Sequence, residues 1–367
     1  MKFTVNRDVL VKPLQHVAGV VERRQTLPVL SNVLLRVNDG DLSITGTDLE
    51  VQMIANIAIE NGDSGETTVA ARKLLDICRE LPEGANIEFS LDGAKLSVKS
   101  GRFRSALVTL PATEFPTIDT GTVNHHIQVP AKSLKNAIDR TAFAMAQQDV
   151  RYFLNGLLLE VEKGLLRCVA TDGHRLALCD YRSDTLDADD KAQIIVPRKG
   201  VQEMQRLLSD HDADADLSLG ANYLALNCGS YALTTKLIDG RFPDYDRVIP
   251  KDGTKSVLAD KVELRQALNR TAILSNEKFR GIRLNLSDGL IEISANNPEQ
   301  EEAEESVVVE YQGESLEIGF NVSYLQDVLA VISADKVKIT LNNASASALL
   351  EEPEEEDATY VVMPMKL

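Results

Sequence analysis

Along most of this chain hydrophobic and polar residues alternate with a period of two, interrupted at intervals by stretches of helical period. The alternation runs through ANIEFSLDG, AKLSVKSG and YLALNCGSYALTTKL, separated by Gly, Asp and Asn turns, and predicts short strands. Three amphipathic helices break the pattern. The first carries Leu10, Leu14, Val17 and Val21 on one stripe, with Asn6 placed to cap it and Pro13 placed to kink it. The second stripe is Leu134, Ala137, Ile138, Thr141 and Met145, and the third Leu264, Ala267, Leu268, Thr271 and Ser275.

These helices open three copies of one pattern. LSITGTDLE, LRCVATDGHR and IEISANNPEQ each run from an alternating strand into a polar turn, and Asp48, Asp172 and Asn297 lie about 125 residues apart. The same period relates SNVLLRV, NGLLLEV and RGIRLNL, and also TVAARKLLDIC, IVPRKGVQEM and GFNVSYLQDV. EFPTI at 114 and RFPDY at 241 punctuate the ends of the first two copies. Two helices and roughly eight strands per copy predict an α+β domain used three times in tandem, over residues 1–124, 125–252 and 253–367.

A length of 367 residues agrees with several domains, and 44% hydrophobic with 26% charged residues is an ordinary globular composition. No apolar run is long enough for a membrane span, and MKFTVNRDVL has neither a signal-peptide core nor a lipidation motif, so a cytoplasmic protein without membrane contact is expected. Cys78, Cys168, Cys179 and Cys228 are scattered in apolar surroundings, which predicts buried free thiols and no zinc site. Neither a metal nor a cofactor is expected.

A net charge of -17 argues against a nucleic-acid partner unless cations are gathered locally. The three opening helices carry Arg7, Lys12, Lys132, Lys135, Arg140, Lys261, Arg265 and Arg270 against Asp8, Asp139, Asp260 and Glu263. If they line a common concave face, that face attracts a polyanion while the acidic exterior repels other partners; the alternative is an ordinary solvated helix surface. The acidic run EEPEEED (351–357) reads as a solvated loop tip. PEQEEAEE (298–305) reads as the edge of the third copy, facing a basic edge of the first that holds Lys95, Lys99, Arg102 and Arg104. Opposite charges at two ends of one chain suit head-to-tail association. Neither run has the ligand spacing of a calcium loop.

Over its whole length the chain resembles the bacterial DNA polymerase III beta subunits, the sliding clamps. MKFTV, RRQTLPVLSNVLL, GTDLE, AQQDVRYFLNG, VATDGHRLAL, VPRKG, KLIDGRFPDY, TAILSNEKFRG, ANNPEQEEAEE, EIGFNVSYLQDVL and YVVMPMKL carry the likeness. It implies three clamp domains, each of two helices packed on antiparallel sheets, closing as a head-to-tail homodimer into a six-domain ring around duplex DNA. The implied function is processivity: tethering the replicative polymerase without reading sequence. The implied dimer contact uses Lys73, Lys99, Arg102, Phe103 and Arg104 on one side, and Ile273, Leu274, Glu301, Glu302, Glu304 and Glu305 on the other. Ser105 stands where an aromatic is common, and Phe103 lies two residues earlier on the same strand face.

DNA-contacting positions implied by the resemblance are Arg24, Arg72, Gln148, Tyr152 and Phe153, the last two read as neighbours on a strand that stack on an unpaired base. The family's groove for a short linear peptide maps to Leu154, Thr171, Gly173, His174, Arg175, Leu176, Pro243, Arg247, Val248, Phe279, Asn321, Tyr324, Ser345, Ser347, Val361, Val362, Met363, Pro364 and Met365. Apolar, methionine-containing walls suit one groove that serves many partners, with His174 and Arg175 giving polar contacts at the rim. The implied ligands are peptides with a glutamine and a Leu/Phe anchor in the polymerase alpha subunit, the clamp loader, and translesion and repair proteins. Ala346 and Lys366 depart mildly from the family pattern.

Catalysis finds little support. Asp172 and His174 in TDGHR would make an acid/base couple, but no nucleophile turn, phosphate loop, dinucleotide fingerprint or zinc-protease helix accompanies them, and GTDLE in the first copy lacks the histidine. The remaining alternative is a specialised clamp paralogue of the drug-resistance type.

Overall fold

The computed structural model describes residues 1–22, 27–60, 62–118, 121–186, 191–210 and 212–366. Among these residues the chain forms two sheets, of thirteen and twelve strands, in which every pairing is antiparallel. Six helices accompany them: α1 (Arg7–Val20), α2 (Ala71–Glu80), α3 (Ala131–Asp139), α4 (Arg198–Leu208), α5 (Lys261–Thr271) and α6 (Val322–Val331). No helix among the described residues is long and apolar enough to cross a membrane.

Each copy begins with a strand, not with its helix. Lys2–Asn6, Val123–Pro130 and Lys255–Asp260 lead directly into α1, α3 and α5. MKFTVN lacks a strong helical signal of its own, and pairing with Asn86–Asp92 draws it into the sheet. Three of the strand-to-helix junctions, those of α1, α5 and α6, are capped by a side chain. Asn6 accepts from the Asp8 amide, Asp260 from the Glu263 amide and Asn321 from the Ser323 amide, each cap contributing about 1 kcal/mol to its helix. α1 runs unbroken through Pro13.

The predicted stripes are the buried faces. Leu10, Leu14, Val17 and Val21, then Leu134, Ala137 and Ile138, then Leu264, Ala267 and Leu268 are all buried. Each leucine removed from water is worth roughly 1.5–3 kcal/mol. The two threonines on those stripes are buried without loss, because Thr141 and Thr271 each donate to the carbonyl one turn back, Ala137 at 2.7 Å and Ala267 at 2.9 Å.

Although the sequence has three copies, the contacts gather into two compact units. One is built chiefly from Met1–Lys135 and Lys199–Ile238, the other from Asn136–Thr185 and Asp239–Leu367. Strand pairing across the copies is the reason. Tyr231–Lys236 of the second copy pairs with Val51–Ala58 of the first, and Ala358–Val362 of the third pairs with Arg175–Arg182 of the second. The four cysteines are free and buried, two of them, Cys168 and Cys179, directly opposite one another across a strand pair.

Phe103–Leu110 and Glu302–Glu310 are among the strands that leave an edge mostly unpaired. Phe103–Leu110 pairs along its length with Lys95–Ser100, but on its other side meets Gly65–Ala70 only through Thr109 and Leu110. Glu302–Glu310 pairs with Leu290–Asn296, but on its other side meets Lys255–Asp260 only through Val309 and Glu310.

Two charged expectations are corrected. Arg140, placed on the positive helix face by sequence, is buried and ion-paired to Glu352 at 2.9 Å. Glu352 therefore leaves the solvated acidic run, its neighbours Glu354, Glu355 and Glu356 remaining exposed. Burying either charge alone costs several kcal/mol, so the pair forms together.

Candidate functional site

In the second unit an open cavity of about 390 Å³ gathers residues from both copies that build it. Leu154, Leu176 and Val361 make a buried apolar floor, with Pro243, Val248, Ser347 and Met363 as walls and Thr171, Gly173, Arg175 and Arg247 as polar lining. Val248 and Met363 are half exposed, so the apolar surface opens to solvent. Arg151, Asp244 and Tyr245 also line it and were not foreseen. The only sequence signal for them was proximity to expected residues in AQQDVRYFLNG and RFPDYDR.

The other expected groove residues lie off the lining. Val362 is wholly buried, and Asn321 uses its side chain to cap α6. Tyr324 stacks against His174 at 6.4 Å. Phe279 is exposed beside Lys278, Ser345 is exposed in a turn made by Asn343, and Pro364 and Met365 are half-buried. The terminal segment is nevertheless fixed. Val362 pairs with Arg175, the Met363 amide donates to the His174 carbonyl at 2.9 Å, and the Met365 amide to the Gly319 carbonyl at 2.8 Å.

The TDGHR turn is built by its own side chains. One Asp172 oxygen accepts from the amides of His174 and Arg175, and the Thr171 hydroxyl accepts from the Gly173 amide and donates to the Arg175 carbonyl. Asp48 and Thr47 repeat these bonds in the first copy, where Leu49 holds φ 78° against 88° for Gly173. A leucine there bears the strain that glycine avoids. Asp172 is spent on this turn and on the Arg175 Nε at 3.1 Å, while His174 faces Tyr324, so no acid/base couple forms.

Arg175 is not a rim residue. Its guanidinium is bonded to Asp172, to Asp327 and to the Phe143 carbonyl, and lies over the rings of Tyr324 (4.7 Å) and Phe143 (5.2 Å). That many contacts make it a fixed part of the cavity wall.

Beneath the cavity, Tyr245 is held by a buried polar network. Its hydroxyl donates to Glu160 at 3.0 Å and accepts from Arg167, which also grips Asp180 at 2.6 Å and 2.8 Å. Burial pushes the Tyr245 phenol up to about 12. Burial opposes ionisation of Glu160, yet hydrogen bonds from Lys191, Gln193 and Tyr245 outweigh it and hold the carboxyl below its usual range.

Of the DNA-facing candidates, Arg24 lies outside the described residues. Arg72 is exposed in the first turn of α2. Gln148 is exposed at φ 56°, and Tyr152 and Phe153 sit on a short 3-10 helix, Tyr152–Asn155, and not on a strand. Their rings meet edge to face at 5.8 Å, with Tyr152 57% exposed, so one aromatic face is offered to solvent.

The interface candidates sit at the two open strand edges. Lys99 and Arg104 are direct cross-strand neighbours and both exposed, Arg102 is exposed in the adjoining turn, Phe103 starts the strand, and Lys73 is exposed on α2. Two like charges opposite each other are destabilising unless an anion approaches. On the other edge Glu302 and Glu304 are exposed, while Glu301 is bonded to Asn297 and Glu305 to Arg270 within the chain. Ile273 is 76% exposed and Leu274 half-buried in the short helix after α5.

Three consecutive matches cover nearly the whole chain: the N-terminal domain of the DNA polymerase III beta subunit at residues 1–119, its central domain at 128–244 and its C-terminal domain at 246–366. The beta sliding clamps of Pseudomonas aeruginosa and Escherichia coli K12 are 55% and 50% identical over the full length of both chains. A crystal structure of the P. aeruginosa DNA polymerase sliding clamp superposes with a TM-score of 0.97 over all of both chains at 55% identity. The Caulobacter crescentus beta sliding clamp gives 0.95 at 38% identity, over all of this chain and 99% of the other. With 50–55% identity along its full length, three matched domains and the α+β clamp architecture, the chain belongs to the DNA polymerase III beta subunit family, the non-enzymatic sliding clamps of DNA replication.

Proposed function

We propose that two copies of this chain close head to tail into a ring around duplex DNA, and that the ring tethers polymerase and repair proteins through the cavity of the second unit. The observation that carries the ring is the pair of open edges. Phe103–Val108 bears exposed Arg104 and Val108, and Glu302–Val308 bears exposed Glu302, Glu304 and Val308. Laid antiparallel, one edge supplies backbone donors and acceptors to the other, pairs cations with carboxylates and covers the two valines. Each copy has one edge of each kind, so a twofold axis satisfies both contacts and leaves neither of these two edges over.

DNA is then retained by topology, with weak phosphate contacts from residues such as Arg24 and Arg72 and stacking of an unpaired base on Tyr152 and Phe153. The cavity takes a short peptide whose Leu/Phe anchor fills the floor of Leu154, Leu176 and Val361. Identity of 50–55% along the whole chain favours the replicative clamp over a specialised paralogue. The test is to load the protein onto nicked circular plasmid with a clamp loader and ATP and then linearise the plasmid. Retention on the circle and release on linearisation is expected; protein that remains on the linear DNA removes the topological reading.

A further inference from the structure

The repeat that builds the cavity of the second unit also lays out its counterpart in the first. The short helices Pro28–Ser31 and Tyr152–Asn155 are opened by the same bond, the Leu30 amide to the Leu27 carbonyl at 3.1 Å and the Leu154 amide to the Arg151 carbonyl at 2.8 Å. The Lys236 amide donates to the Glu50 carbonyl as the Met363 amide does to that of His174, and Gln52 lies opposite Thr234 as Leu176 lies opposite Val361. Leu30, Gln52 and Thr234 therefore take the places of Leu154, Leu176 and Val361, the cavity floor, and all three are buried. Leu27 and Leu49, at the places of the cavity-lining Arg151 and Gly173, are 51% and 38% exposed, so the counterpart has an apolar rim.

The two places differ in the segment that follows each Phe-Pro pair. Phe115 and Phe242 are both buried, so the aromatic is common to them. In the second copy Glu160 and Arg167 tie down the Tyr245 hydroxyl, and Pro243 and Val248 on either side stand as cavity walls. Strand register gives the first copy Arg36, Ser43 and Asn56 where the second has Glu160, Arg167 and Asp180, and Ile118 stands where the second has Tyr245. Ile118 has no hydroxyl to tie, and Arg36 turns to Glu66 at 3.0 Å. Instead the Ile118 amide donates to Oε1 of Gln52 at 3.3 Å, and Phe115 shares one apolar cluster with Leu30. Segment 115–118 is thus held at two of the three floor positions.

We propose that the first unit carries a second peptide groove kept shut by the chain's own segment 115–118, with Gln52 as its latch, so that each protomer offers one open groove and not two. The inference rests on the groove reading above. Lifting the segment leaves the Gln52 oxygen buried without a donor, a cost that holds the segment down. A leucine at 52 removes both the acceptor and the polar floor, which is the arrangement the second copy has at Leu176.

The test uses the full-length dimer as parent, Gln52→Leu, and Gln52→Leu with Thr234→Val. In both variants hydrogen exchange of segment 115–118 should quicken about tenfold, the worth of one hydrogen bond, while that of 243–248 stays unchanged. Titration calorimetry with a Q-L-x-L-F peptide should give one peptide per protomer on the parent and two on the double variant, and a photoreactive version of the peptide should label residues 27–52 only in the variants. Unchanged exchange, a double variant that still takes one peptide, or two peptides on the parent overturns the proposal and leaves the groove of the second unit standing. No peptide on the parent removes the groove reading and this inference with it. Should the double variant fail to fold, Gln52→Leu alone decides: labelling of 27–52 upholds the latch and its absence overturns it.

Discussion

His16 is buried in α1, with Nε2 2.7 Å from an Asp210 oxygen and its ring edge-on to Tyr231 at 5.2 Å. Burial lowers its pKa more than the Asp210 bond and charge raise it, and Lys12 and Arg206 push the same way as burial. A depressed pKa in the folded state means that the unfolded chain binds the proton more readily. Stability from this group is thus complete above the ordinary histidine value of about 6.5 and is lost as pH falls through the lower folded value. Urea midpoints should therefore drop from pH 7 to pH 5, and His16→Gln should flatten that decline; an equally steep decline in the variant would exclude His16 as its source. Tyr245 makes a second case. Tyr245→Phe leaves Glu160 and Arg167 short of a partner and should cost about 1–3 kcal/mol in stability. It should also weaken Q-L-x-L-F peptide binding, since the ring lines the cavity; calorimetry showing neither change would detach the network from the groove. The sequence did not reveal Tyr245, because RFPDY reads as turn punctuation and the network comes from Glu160, Arg167 and Asp180, far away along the chain.

Individual elements were legible where one periodic face meets one core. The three stripes beginning at Leu10, Leu134 and Leu264 are buried as their spacing predicts, and Asn6 caps α1. What periodicity could not supply was anything fixed by a distant partner. Lys2–Asn6 becomes a strand through Asn86–Asp92, Arg140 is buried by Glu352, and Tyr152 and Phe153 leave strand geometry in a tip organised by Asp149 and Asn155. The open edges make the element-scale prediction. Arg104→Glu should weaken the dimer about tenfold or more, as should Glu304→Arg, because each sets like charges against each other across the edge. Mixing the two variants should give a mixed ring with both contacts complementary, one swapped and one native, and combining both changes in one chain should restore both contacts in swapped form. Sedimentation across nanomolar to micromolar concentrations measures this. If the double variant is no stronger than the singles, these residues do not face each other.

At the scale of the whole molecule, a chain of net charge -17 must hold a polyanion without a broad cationic surface. Several helix cations on which the sequence reading leaned are already paired: Lys12 with Asp210, Lys132 with Asp212, Arg270 with Glu305 and Arg140 with Glu352. Few are left to displace counterions, so any grip on DNA that is not topological should be weak. On short linear duplex the affinity should fall with salt at a log-log slope of about -3, the signature of roughly three phosphates at -0.9 per contact. Once loaded on a circle, the protein should behave differently: its lifetime should change little between 50 mM and 200 mM salt, where a binder held by six to ten phosphates loses about a thousandfold or more. Only salt high enough to loosen the charged strand edges should release it, and release should then follow dimer dissociation measured without DNA. A steep slope on linear duplex, or a circle lifetime that tracks that slope, would mean that adhesion and not enclosure keeps the protein on DNA.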